Sequence, residues 1–274
     1  MTKIPNSRRN LDLAIDRITH NREEALQTKR IMANIIVGQM LPNSVVKGGS
    51  ALKIRYGNQT TRFSMDLDTA RAIDLDNFIK QLDRSLKEGW NNFAGSVVKR
   101  QPATPKDVPE SYVMKPFDVK LQYNSRPWIT VPLEVGHNEI GDADKPEYII
   151  SKDAVNIFEK LGFPAPKPIP VIPITHQIAQ KLHAVTEPSS KRAHDLIDLQ
   201  IIINNDKIDY AKTNDICRRL FKYRNMQPWP SKVIKGEDWD MLYDNQSAGL
   251  NVLPNINDAI NWVNNLIDKI KYIN

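Results

Sequence analysis

The sequence predicts an α/β domain followed by an α-helical domain. Three observations point there. Short apolar segments at residues 45–46, 63–70, 117–123 and 129–135 alternate in the manner of strands and are interspersed with helical periodicity. A run of closely spaced prolines occupies residues 163–173. Beyond it the spacing of apolar residues is almost wholly helical. The 274 residues also exceed the roughly 100–200 usual for one domain. We therefore expect a first domain at 1–162, a connector at 163–173 and a helical domain at 174–274.

Taken in order, residues 8–41 predict a helical region, with Leu11, Ala14, Ile15 and Ile18, then Ala25, Ile31, Ile35 and Ile36 recurring near helical spacing. Pro42 and Asn43 punctuate it, and Val45 and Val46 form a short strand running into Gly48-Gly49-Ser50, where a helix begins. Ala51, Leu52 and Ile54 carry that helix to Gly57. Residues 63–70 alternate as a strand, and Asp74 opens a helix through Gly89. Strands follow at Phe117–Tyr123 and Ile129–Val135, the second placed at a sheet edge by Pro132. In FPAPKPIPVIP, prolines at 164, 166, 168, 170 and 173 favour extended backbone. Helices are expected at 175–187, 193–204, 211–223 and 255–273.

Composition narrows the function classes. With 41% hydrophobic and 26% charged residues the chain resembles an ordinary soluble globular protein, not a disordered, collagenous or repeat one. Residues 1–10 carry Lys3, Arg8 and Arg9 with no apolar run behind them, unlike a secretory signal. The longest apolar stretch, Ile31–Leu41, is interrupted by Asn34 and Gln39 and is far short of the ~20 residues that span a bilayer. The single cysteine, Cys217, can close no internal disulfide, which fits a reducing compartment. A cytoplasmic protein without a membrane segment is expected. The net charge of +6 and pI near 9.2 favour anionic partners such as nucleotides or nucleic acid.

The chemistry concentrates in RFSMDLD. On a strand, Ser64, Asp66 and Asp68 share one face and Met65 and Leu67 the other. Two carboxylates side by side repel unless a cation lies between them, and their hard oxygens suit Mg²⁺ together with substrate phosphates. Gly48-Gly49-Ser50, sixteen residues before Asp66, lies where strand turns into helix. Glycines there let backbone approach a ligand, and helix N-terminal N–H groups and the Ser50 hydroxyl can hold phosphate. A plain tight turn with Ser50 as N-cap is the alternative. Neither a P-loop nor a dinucleotide-binding glycine motif occurs.

The segment KGGSALKIRYGNQTTRFSMDLD resembles the first motif of the AbiEii-type toxins, a Gly-Ser pair followed by Asp-x-Asp. That family belongs to the DNA polymerase β-like nucleotidyltransferase superfamily. The resemblance implies a polymerase β-like fold with a mixed sheet, a triphosphate held by Gly49 and Ser50, and metal ions, Mg²⁺ or Mn²⁺, held by Asp66 and Asp68. ITHQIAQKLHAVTEPSSKRAHDLIDL is similar to the family's later motif, a lysine on one helix and an arginine-aspartate pair with a second aspartate on the next. The resemblance assigns Lys181 to the triphosphate and Asp195 to active-site support, with Asp198 at matching spacing. Arg192 is separated from Asp195 by Ala193 and His194, a departure from the family's adjacent pair that leaves its role open.

Physical reading of the same residues agrees in part. Ile178, Leu182 and Val185 mark an apolar stripe, and Lys181 lies three after the first and four before the last. A lysine on an inward stripe needs an anion: nucleotide phosphate, or Asp195 and Asp198, which share a helix face. Both can hold together. The superfamily's third carboxylate is assigned to Glu134, on the polar face of ITVPLEV, with Asp118 of FDVKLQY as competitor. Arg62, Lys47, Arg55 and Arg71 surround the first motif as phosphate contacts or solvated charges. His176, His183 and His194 form no ligand set suited to zinc. Arg218, Arg219, Lys222, Tyr223 and Arg224 followed by Trp229 combine cation and ring as nucleic-acid grooves do, or simply end an amphipathic helix.

The expected reaction is transfer of a nucleoside monophosphate from a nucleoside triphosphate over the Gly48-Gly49-Ser50 turn, with Ser64, Arg62 and Asp198 near the substrate and Glu134 or the metal assisting deprotonation of the acceptor hydroxyl. The tRNA 3′ end is the first choice of acceptor and protein hydroxyls the second. The resemblance further implies an antitoxin that neutralises without a stable complex. The rival readings are an idle nucleotide- or RNA-binding module, disfavoured by the complete set Asp66, Asp68 and Lys181, and a small-molecule-modifying enzyme, disfavoured by the basic surface.

Overall fold

The structure, a computed structural model, describes residues 3–101 and 113–272, and the final residue of the expected helix 255–273 lies outside them. The chain divides into two compact units, one formed by residues 1–58 and 63–172 and the other by residues 59–62 and 173–274.

The first unit opens with α1 (Arg8–Ile18) and α2 (Arg22–Met40), where one helical region was expected. The break has a local cause. Asn21 accepts from the Glu24 amide at 2.9 Å and the Glu24 carboxylate accepts from the His20 amide at 2.7 Å, so residues 20–24 cap a new helix start. Ile31 through Val37 are then buried without interruption by an exposed position, making α2 a core helix. β1 (Ser44–Lys47) leads into α3 (Gly48–Tyr56), then β2 (Leu67–Arg71), α4 (Leu75–Glu88), β3 (Phe93–Lys99), β4 (Lys115–Tyr123), β5 (Arg126–His137), β6 (Glu147–Ile149), α5 (Lys152–Lys160) and β7 (Ile169–Val171).

These strands form one seven-stranded sheet in the order β3-β4-β5-β2-β1-β7-β6. It is mixed: β2 runs parallel to β5 and β1 parallel to β7, while the other neighbours are antiparallel. Its core face carries Val46, Leu67, Val119, Leu121, Val131, Leu133 and Val135 against Ile35, Phe78 and Leu82.

Three expectations are corrected here. The 63–70 strand begins only at Leu67, because Arg62–Asp66 are irregular, so strand alternation does not place Ser64 and Asp66. Pro132 does not mark an edge: β5 is interior, flanked by β4 and β2. Its missing N–H is harmless because the β2 ladder starts one residue later, at Leu67↔Leu133, and no β2 carbonyl stands opposite it. The proline-rich stretch is not a free connector, since Ile169–Val171 pairs with β1 and β6, and Ile169 and Val171 are buried. Its alternating prolines suit an extended strand with sparse ladder bonds.

The second unit holds α6 (Ile174–Thr186), α7 (His194–Asn205), α8 (Tyr210–Arg224), α9 (Trp239–Ser247) and α10 (Ile256–Lys271). Sequence periodicity misses the short α9, which is anchored by two rings one turn apart. Trp239 donates to the Ser190 carbonyl at 2.8 Å, and the Tyr243 hydroxyl accepts from Gln200 and donates to the Leu253 carbonyl. Among the described residues no helix is long and apolar enough to cross a membrane.

Candidate active site

The β1–α3 junction is built around one residue. Gly48 has φ +64°, and a Cβ added there would come within 2.0 Å of Asp68 Oδ2. The glycine is required twice over: by its left-handed backbone and by the carboxylate that fills the space beside it. Lys47, in extended conformation, is the N-cap of α3 and supplies no side-chain hydrogen bond to the helix start. Helix starts favour anions, and here the Asp68 carboxylate stands beside this one.

Ser50 does something other than the sequence suggests. It lies inside α3, so it is not the N-cap, and it is buried. Its hydroxyl donates to the Asp66 carbonyl and accepts from the Asn34 amide at 3.1 Å. Through these two bonds Ser50 pins the backbone of Asp66 to the start of α3 and to α2.

Sheet register gathers the carboxylates. Asp68 is paired on one side with Lys47 of β1 and on the other with Glu134 of β5. Directly opposed residues project from the same face with Cβ atoms roughly 5 Å apart. Asp66, exposed, precedes this strand by one residue. Burial pushes the Glu134 carboxyl up, Arg100 opposes that, and the charges of Asp68 and Asp66 push it further. The three carboxylates thus feel one another. Arg100 bridges Glu134 (Nη2 to Oε1, 3.0 Å) and Asp118 (Nε to Oδ1, 3.3 Å). Asp118 lies opposite Pro132, two residues along β5 from Glu134, so the competitor shares the face but not the register with Asp68.

Arg100 is the residue that sequence reasoning missed. It follows β3, a strand without a clear periodic signal, and only the pairing of β3 with β4 brings it to Glu134. Lys47 stays beside the carboxylates, with its ammonium 3.1 Å from where a Gly136 Cβ would stand. Arg55 and Arg71 are engaged elsewhere, Arg55 by Glu147 and the Ile172 carbonyl and Arg71 by the Ile73 carbonyl.

The donor set suits a hard divalent cation: carboxylate oxygens only, mutually repelling, beside a helix start that favours phosphate. Among the described residues no three His, Cys, Asp or Glu side chains already stand as a closed ligand cluster. The Arg100 guanidinium supplies the positive charge at Glu134 instead.

The second sequence motif forms a charged network inside the helical unit. Lys181 Nζ lies 2.8 Å from Asp195 Oδ1 and 2.6 Å from Asp198 Oδ2, all three side chains buried. Arg62 donates to both oxygens of Asp198 at 2.9 Å, and Arg192 Nε approaches Asp195 Oδ2 at 2.9 Å. Inside this unit, then, the anions that Lys181 meets are the two aspartates, and Arg192, despite its displaced position, pairs with Asp195 from three residues away. Burial would raise both carboxyls, but the Lys181 ammonium, with Arg192 at Asp195 and Arg62 at Asp198, overrides it and holds both well below the ordinary range. Three cations face two carboxylates, and His194 stays neutral: burial, against the pull of Asp195, brings its pKa down to about 4.

Comparison with curated proteins yields no match. Two solved structures are similar over nearly the whole chain. JHP933 from Helicobacter pylori is 18% identical, with TM-score 0.46, 92% of this chain and 94% of that one covered. The nucleotidyltransferase toxin MenT4 from Mycobacterium tuberculosis is 16% identical, with TM-score 0.49 and coverage of 97% and 98%. The sequence model of the nucleotidyl transferase AbiEii toxin, from type IV toxin–antitoxin systems, matches residues 30–260, a span that includes the Gly48 turn, Asp66, Asp68, Glu134 and the Lys181 network. The chain belongs to the AbiEii family of nucleotidyl transferase toxins.

Proposed function

We propose that this nucleotidyltransferase moves a nucleoside monophosphate from a nucleoside triphosphate to an acceptor hydroxyl, with the 3′ end of tRNA as acceptor, in the cytoplasm. The observation that carries the reading is the register Asp68↔Glu134 beside the Gly48 turn, with Asp66 tied to the same turn through Ser50. Backbone N–H groups at the start of α3 bind phosphate oxygens, and Lys47 adds a cation at the same strand end. Asp66 and Asp68, with Glu134 beside them, would hold Mg²⁺ or Mn²⁺, which when bound neutralises phosphate charge and favours ionisation of the attacking hydroxyl. Glu134, made more basic by burial and by its acidic neighbours, takes the hydroxyl proton on a carboxylate oxygen. The acceptor oxygen then bonds the α-phosphorus as the bond to the β-phosphate bridging oxygen breaks, and pyrophosphate departs.

The net charge of +6 favours nucleic acid as the acceptor. Family membership in type IV systems implies an antitoxin, which we propose neutralises without forming a stable complex. The test is incubation with each radiolabelled nucleoside triphosphate, total tRNA and total protein. Label should enter the tRNA fraction and vanish with Asp66→Ala. Label in protein would move the acceptor to a protein hydroxyl, and unchanged transfer by the variant would refute the site.

A further inference from the structure

The basic run on α8 is absorbed neither by the carboxylate face nor by the Lys181 network. Arg218 and Lys222 lie one turn apart on this helix, both exposed, and line a cleft of about 490 Å³ closed by Met226, Pro228 and Trp229. Their neighbour Arg219 pairs with Asp215 at 3.6 Å, whereas among the described residues neither Arg218 nor Lys222 makes an ion pair. Two uncompensated cations i, i+4 apart project from one strip of the helix.

The ring beside them is fixed in place. Trp229 donates its indole N–H to Asn214 Oδ1 at 2.9 Å and packs against Phe221 with ring centroids 5.0 Å apart. Phe221 is in turn buried against His183, 4.8 Å away. An indole anchored at its N–H edge and by a second ring loses little freedom when something stacks on it. The cleft is large enough for a flat heterocycle of nucleobase size. Fixed ring, neighbouring cations and an open groove are the elements by which proteins take single-stranded nucleic acid without sequence preference.

We propose that this cleft at the end of α8 binds a single-stranded RNA segment, with Arg218 and Lys222 on successive phosphates and Trp229 under a base. The proposal deepens the reading of RNA as acceptor and rests on it for the choice of RNA over an acidic protein. Binding is separable from transfer, so the two can fail independently.

The test uses the full chain and a fluorescently labelled single-stranded RNA oligonucleotide of mixed sequence, with affinity measured by anisotropy over a range of salt. Each lost phosphate contact lowers the slope of log affinity against log salt by about 0.7 for a single strand. R218Q/K222Q should therefore flatten the slope by about 1.4 and weaken binding about 25-fold at 0.1 M salt. K152Q/K160Q, two exposed charges on α5, should leave both unchanged, and Asp66→Ala should bind RNA like the parent while transferring nothing. The proposal is overturned if the parent binds no RNA, if R218Q/K222Q keeps its affinity and slope, or if K152Q/K160Q loses as much. Loss of RNA binding in R218Q/K222Q by a chain that labels only protein would keep the cleft and discard the tRNA acceptor. Normal tRNA labelling with unaltered binding in R218Q/K222Q would do the reverse.

Discussion

Replacing Gly48 by alanine separates what the residue does for the backbone from what it does for Asp68. An L-residue held at φ +64° costs about 1–2 kcal/mol relative to glycine. For a unit of this size that is a fall of roughly 2–8 °C in Tm. Gly249, with φ +76° and nothing within 4 Å of an added Cβ, supplies the control: Gly249→Ala carries the backbone cost alone. In Gly48→Ala the new methyl also overlaps Asp68 Oδ2, which must leave its place opposite Glu134. Displacing one carboxylate of the proposed site should lower nucleotide transfer about 100-fold, the upper end for loss of a partner that orients metal ligands. Thermal unfolding by circular dichroism and single-turnover transfer to tRNA measure the two effects. Gly249→Ala should lose stability and keep transfer; Gly48→Ala should lose both. Full transfer by folded Gly48→Ala would show that the seat of Asp68 beside the turn is irrelevant to chemistry.

Lys181→Met should cost about 3–5 kcal/mol in urea unfolding, because Asp195 and Asp198 stay buried and lose their shared cation, and a loss near zero would mean that Arg62 and Arg192 suffice. His194 makes stability pH-dependent: its native pKa of about 4 lies below the ordinary 6.5, so the unfolded chain binds a proton that the folded one refuses. Its contribution is complete above pH 6.5 and drains away as pH falls toward 4, by about 3 kcal/mol at some 1.4 kcal/mol per pH unit. His194→Gln should flatten stability over that window, while the depressed Asp195 and Asp198 give up theirs only below the ordinary carboxylate range, near 4.

Local signals that act over a few residues were legible in the sequence. Asp74 caps α4 as expected, alternation in FDVKLQY and ITVPLEV marks two adjacent strands, and helical spacing locates α6, α7, α8 and α10. Signals that exist only after pairing were not. β3 lacks alternation strong enough to declare it, so Arg100 could not be tied to Glu134. β7 is three residues long and built around Pro170, and only its partners β1 and β6 make it a strand. The argument that set Asp66 and Asp68 on one strand face holds for Asp68 alone, since the backbone at Asp66 is held by Ser50 and not by a ladder. The engagement of Arg62 by Asp198 spans 136 residues of sequence and leaves no trace in local pattern.

That last pairing has a consequence for how the molecule can be taken apart. Because residues 59–62 belong to the helical unit although they interrupt the other one in sequence, the backbone crosses between the two three times. A fragment starting at Pro173 would carry Asp198 into its interior with the bidentate arginine left behind on a different polypeptide. Dissecting this toxin into independently expressed halves therefore calls for grafting a guanidinium onto the helical fragment, or for circular permutation that keeps Gln59–Arg62 attached to it.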